Sequence, residues 1–173
     1  MIKMIVNFSL FQVAWLAGII GGANDWPLLG ALPAIVVVAV HLLMNSDQLK
    51  REISLIFGIT ILGLIVEMSF VSLGTLHYTG TKIDAVLPPI WIVMLWFAFG
   101  TLPHGSLDWM SRRIWLQLFL GALFGPLSYF GGVRLGAATM SKPIMDSLII
   151  ISLGWAVAMV LMFQMAGRLS ELE

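Results

Sequence analysis

The chain contains no cysteine, and only 10% of its residues are charged. The first absence excludes disulfides, thiolate metal sites and a cysteine nucleophile. The second excludes an ordinary water-facing surface, since a soluble globule carries about a quarter charged residues. Nine Lys and Arg balance nine Asp and Glu, with no basic run, so nucleic acid is not an expected partner. There is no low-complexity tract, no clear internal repeat and no linker. The 173 residues therefore read as one domain, 1–173.

What is present is apolar. The composition is 60% hydrophobic and the mean hydropathy is +0.99. Six apolar stretches stand out, at about 4–23, 27–45, 53–74, 87–103, 113–133 and 144–166. A spanning helix needs about 20 such residues. The stretches do not alternate apolar with polar, as barrel strands would. The expected fold is all-α: a polytopic transmembrane bundle of about six helices. Pro88 and Pro89 can open the fourth helix at its first turn. Met1–Lys3 followed by an apolar run is reminiscent of a signal peptide, but the run reaches Gly22 without a clean cleavage site, so it reads as the first membrane helix. The first connector, Ala23–Trp26, is short enough to demand a tight antiparallel hairpin.

Orientation follows from the cations. Lys3, Lys50, Arg51, Arg112, Arg113 and Arg168 fall on one side of a six-span arrangement, and Lys82, Arg134 and Lys142 on the other. The positive-inside rule then places both termini in the cytoplasm, in a multi-pass inner-membrane protein.

Two ionisable residues interrupt the apolar pattern. Glu67 lies well inside the third stretch, about 10 Å from its outer end. A bare carboxylate at that depth must be protonated, paired or in contact with water. Thr60, Gly63, Glu67 and Gly74 fall near one helical face, which suits an inward direction. Arg134, at the outer end of the fifth stretch, is the partner candidate, either in a structural ion pair or in a site at the outer mouth. Tyr129 and Ser128 stand near it, so Glu67, Arg134, Tyr129 and Ser128 form the candidate ligand-binding set. The fifth stretch also carries a small or polar stripe, Gln117, Gly121, Gly125, Ser128 and Gly132, which Pro126 is expected to interrupt. Interrupted helices line substrate sites in many transporters; a tightly packed, kinked helix is the structural alternative.

A second polar cluster belongs to the cytoplasmic side: Asn7, Gln12, His41, His104 and Asp108, with Ser106 nearby. Two histidines and a carboxylate can bind metal in principle, but their spacing gives little support, and no metal or cofactor is expected. No GxSxG elbow surrounds Ser106. Hydrogen bonding between connector and helix ends is the expected role. His77, Lys82 and Asp84 read as solvated residues of the outer third connector.

Several segments resemble an uncharacterised family of small bacterial inner-membrane proteins, a domain of unknown function. They are Asn7–Trp15 (NFSLFQVAW), His41-Leu42-Leu43, Trp91–Trp109 (WIVMLWFAFGTLPHGSLDW) and Gly125–Ala137 (GPLSYFGGVRLGA), the last being the most specific. The resemblance implies a membrane fold, an Asp more often than a Glu at position 67, and gene neighbourhoods for fatty-acyl lipid modification. It supplies no catalytic residues.

Three functions remain open at this level. The first is a lipid-binding or accessory protein of envelope lipid metabolism, favoured because so little chain lies outside the bilayer. The second is a small proton-coupled transporter acting as an oligomer, with Glu67 as its titrating group. The third is a membrane-embedded metal enzyme using His41, His104 and Asp108. Membrane lipid is the expected partner, together with a second copy or another membrane protein.

Overall fold

The computed structural model describes residues 1–80 and 86–171; Lys82 and Asp84 lie outside the described residues. The expected helical bundle is what forms. In chain order it contains α1 (Ile2–Ala23), α2 (Pro27–Met44), α3 (Leu49–Ser72), β1 (Leu76–Tyr78), α4 (Ile90–Phe99), α5 (Ile114–Arg134), β2 (Ala138–Met140) and α6 (Ile144–Glu171). Five of these helices are long and apolar enough to cross a membrane.

The α1–α2 hairpin is as tight as its connector demands. A Cβ on Gly21 would lie 2.6 Å from the Gly30 Cα, so the two backbones touch where neither carries a side chain.

The fourth stretch departs from expectation. Its helix starts directly after Pro89, but it stops at Phe99 and rises only about 15 Å. Gly100, Pro103 and Gly105 disfavour further α-helix, and tight turns follow, with Thr101 N–H bonded to the Ala98 carbonyl and Leu102 N–H to that of Phe99. Gly100 itself packs on the Ile56 backbone. The chain still traverses the bundle. Trp91 packs edge-on against Tyr78 at one end, and His104 bonds Glu52 at the other.

A second departure is a two-stranded antiparallel ribbon. β1 pairs with β2 in the register Leu76–Met140, His77–Thr139 and Tyr78–Ala138. Both strands are launched in the same way. α3 and α5 each end on a glycine in the left-handed region, Gly74 at φ +62° and Gly136 at φ +87°. The next amide reaches back into the helix, Thr75 to the Phe70 carbonyl and Ala137 to that of Gly132. His77 is thus a half-buried strand residue rather than a free loop residue.

The ribbon marks one end of the bundle. The other end gathers Lys3, which donates to the Met44 carbonyl, with Glu52, His104 and Ser170. The first and last helices therefore begin and finish at the same end.

Candidate functional site

Glu67 is 1% exposed and sits at the centre of the ribbon-side half. One turn earlier on α3, Gly63 leaves room for the Trp96 indole to lie against the helix. From there Trp96 Nε1 donates to Glu67 Oε1 at 2.8 Å. The Tyr129 hydroxyl, from α5, donates to the same oxygen, and the Tyr78 hydroxyl, from β1, donates to Oε2. The chain has only these two tyrosines, and both end on this carboxylate. Burial, and next the neighbouring Glu67 charge, push the Tyr78 phenol up from its ordinary value, so it remains a donor.

The donors are themselves held in place. Trp96 stacks on Trp155 of α6 with ring centroids 4.9 Å apart and planes at 18°. Tyr129 meets Phe70 edge-on at 5.8 Å, and Tyr78 meets Trp91 in the same manner at 5.8 Å. One carboxylate thus ties α3, β1, α4 and α5 together, with α6 behind the stack. An acceptor-only group met by three neutral donors has its hydrogen bonds satisfied without a cation.

Arg134 is not part of this arrangement. It is exposed in the last turn of α5 and makes no ion pair among the described residues. Ser128 turns back onto its own helix, donating to the Gly125 carbonyl at 2.7 Å. Of the four expected ligand-binding residues, the structure brings together Glu67 and Tyr129. Tyr78 and Trp96 take the place given to Arg134 and Ser128.

Gly63 makes the box testable. Any side chain there runs into the Trp96 ring. Gly63→Ala should cost about 1–3 kcal/mol and shift the tryptophan fluorescence, because overpacking displaces an indole that is both stacked and bonded. Gly167→Ala on α6 is the control: nothing lies within 4 Å, so it should be neutral or slightly stabilising. Equal melting temperatures for the two variants in detergent would show that Trp96 is free to move away from Glu67.

The opposite end has a second buried carboxylate, Glu52, at 0% exposure in the first turn of α3. Its Oε2 faces His41 Nε2 at 2.9 Å, and its Oε1 faces His104 Nδ1 at 2.9 Å and Arg51 Nη2 at 2.9 Å. The other His104 nitrogen lies 3.3 Å from the Ala166 carbonyl and 3.2 Å from the Ser170 hydroxyl, both on α6. Asn7 is close to this junction, donating to Thr101 Oγ1 and accepting from the Ser106 amide, both at 2.9 Å.

The expected cytoplasmic cluster is therefore partly assembled. His41 and His104 converge on Glu52, and Asn7 secures the α4–α5 connector. Gln12 is exposed on α1, and Asp108 is exposed in the short turn Asp108–Met110. Among the described residues, no group of three or more His, Asp or Glu is placed to hold a metal ion. The Ser106 hydroxyl is buried with no hydrogen-bond partner among the described residues, so none of them is placed as a base for it.

α5 corrects one further expectation. It runs unbroken from Ile114 to Arg134 through Pro126. Gln117, Gly121, Gly125 and Gly132 of the expected stripe are buried as a packing face. Gly121 and Gly125 receive Trp155, and the Gln117 amide donates to the Met110 carbonyl at 2.8 Å.

A family model described as a protein of unknown function, DUF2878, matches residues 4–161. The chain belongs to the DUF2878 family. No curated protein and no solved structure matches it. The family assignment agrees with the resemblance to an uncharacterised domain of unknown function, and the apolar helices make this DUF2878 chain an integral, multi-pass membrane protein.

Proposed function

We propose that the chain holds an acyl lipid and serves as a binding or accessory protein in fatty-acyl lipid metabolism of the inner membrane, with both termini cytoplasmic. One observation carries this reading: a cavity of about 490 Å³ that opens sideways between α5 and α6. Its lining is almost wholly apolar, including Leu123, Leu127 and Phe130 on α5 and Ile149 and Leu153 on α6, with Pro126 alongside. Ser152 closes the helix pair by donating to the Ala122 carbonyl at 2.8 Å, so its hydroxyl is already satisfied. The five apolar residues just named are also exposed on the bundle surface, where hydrocarbon is the solvent. An acyl chain is the occupant that such a slot admits from the bilayer.

Comparative lipidomics of a deletion strain and its complemented parent tests the role. The expected result is an acyl species lost on deletion and restored on complementation. An unchanged profile, together with purified protein free of stoichiometric lipid, would overturn the reading.

A second reading has its own support in Glu67, a carboxylate at membrane depth with three neutral donors and no cation among the described residues. That arrangement suits a proton-binding group in a small proton-coupled carrier acting as an oligomer. Glu67→Gln in proteoliposomes should then abolish proton-coupled flux, and unchanged flux would eliminate the carrier. An enzyme built on His41, His104 and Asp108 gains no support, because Asp108 stands apart from the two histidines.

A further inference from the structure

The groove leads somewhere. A Cβ on Gly121 would lie 2.6 Å from the Trp155 carbonyl, so these positions are level across the antiparallel α5–α6 pair. From that level α5 runs forward to its last residue, Arg134, and α6 runs backward to its first turn, just before which Lys142 lies in the connector. Both are exposed and both lie at the ribbon end of the bundle. On α5, Leu127 and Arg134 are two turns apart on one face, and Phe130 and Arg134 one turn apart. The cation thus lies on the continuation of the groove wall, about 10 Å beyond Leu127. On α6, Asp146, Ile149 and Leu153 form one stripe by steps of three and four. Asp146 is exposed in the first turn, directly beyond the groove-lining Ile149.

Building on the acyl-lipid reading, we propose that the groove selects a zwitterionic aminophospholipid. Its tail lies between Leu127 and Ile149, its phosphate meets Arg134 and Lys142, and its ammonium meets Asp146. The charge pattern is what picks this class. Two cations bind a phosphate oxygen well, and a long arginine stem can lie along the groove wall while its head stays at the interface. The acid beside them disfavours a headgroup that carries only negative charge. It favours one with its own cation a few ångströms from the phosphate. A neutral diacylglycerol would fill the slot and leave all three charges unused.

The test uses purified full-length protein, delipidated in detergent and examined by native mass spectrometry. It is offered equimolar phosphatidylethanolamine, phosphatidylglycerol and diacylglycerol with the same acyl chains. The expected result is preferential retention of phosphatidylethanolamine. Arg134→Ala with Lys142→Ala should lower that retention about tenfold, to the diacylglycerol level. Asp146→Asn should reverse the order of the two phospholipids. All three side chains are exposed, so the variants should melt with the parent, and their melting temperatures are recorded alongside. Equal retention of all three lipids, abolished by Leu127→Trp, would overturn the headgroup assignment and leave the acyl groove standing. Preference for phosphatidylglycerol would also overturn it. No retention of any lipid would remove the groove reading itself.

Discussion

Glu67→Lys is expected to yield little or no folded protein, whereas Glu67→Gln should fold with a modest loss. The difference lies in what three fixed donors can accept. Glutamine keeps one carbonyl oxygen for the Trp96 N–H and a tyrosine hydroxyl, and its amide can donate to the oxygen of the other tyrosine. The lost charge costs about 1.5–3 kcal/mol, the range for a hydrogen bond to a charged group. Lysine brings a cation and no acceptor. The Trp96 N–H, which can only donate, is left without a partner, and the ammonium is buried where no anion faces it. Removing one member of a buried charged network costs about 3–5 kcal/mol, and burying an unpaired charge adds to that. The measurement is yield of monodisperse protein in mild detergent and its thermal midpoint. Equal yield and midpoint for the two variants would mean that position 67 reaches water. Glu67→Ala should fall between them, since it orphans three donors without adding a charge. The origin of the lysine defect also separates this box from a Glu67–Arg134 pair. In a pair, Arg134→Ala would relieve the repulsion and rescue Glu67→Lys. With Arg134 exposed at the end of α5, no rescue is expected.

The parts of this arrangement that could be read from the sequence are those fixed by local pattern. Long apolar runs announce the helices, the short connector Ala23–Trp26 announces the α1–α2 hairpin, and Thr60, Gly63 and Glu67 mark the inward face of α3. The donors to Glu67 depend on non-local geometry. Tyr78 lies in a connector, and it reaches the carboxylate because β1 pairs with β2, some sixty residues away in the chain. One local clue was available. Leu73-Gly74 and Leu135-Gly136 each follow an apolar helix and precede a short segment with little charge, as matched helix stops feeding paired strands would. Glu52 was obscured by its neighbours: beside Lys50 and Arg51 it looks like connector charge. Yet it lies on α3, about four turns before Glu67, and is buried in the same bundle. His41 and His104 stand out in the sequence as a polar pair, but the acid next to His104 in the chain is Asp108, whereas the one the two histidines share in space is Glu52. The end of α4 at Phe99 was also hidden, because an apolar run does not reveal where a helix gives way to turns.

Glu52→Leu should therefore be as damaging as any substitution outside the Glu67 box, and its damage should be shared with His104. The carboxylate is the common acceptor for His41 of α2, Arg51 of α3 and His104 of the α4–α5 connector, and His104 continues to the Ala166 carbonyl and Ser170 hydroxyl of α6. Replacing it with a hydrocarbon leaves His41 buried without this partner and Arg51 facing an apolar side chain, for about 3–5 kcal/mol. His104→Gln should cost less, because an amide can still bridge Glu52 and α6. If the network acts as one unit, the loss in the double variant should fall short of the summed single losses by about 0.5–3 kcal/mol, the usual coupling for residues in one hydrogen-bond network. Thermal or chemical unfolding of the four proteins in the same detergent provides the cycle. Strict additivity would mean that His104 and Glu52 contribute independently and that α6 is held by packing alone. Measured coupling would identify this junction as the clasp at the end opposite the β-ribbon, joining α2, α3 and α6 where α4 is too short to do so itself.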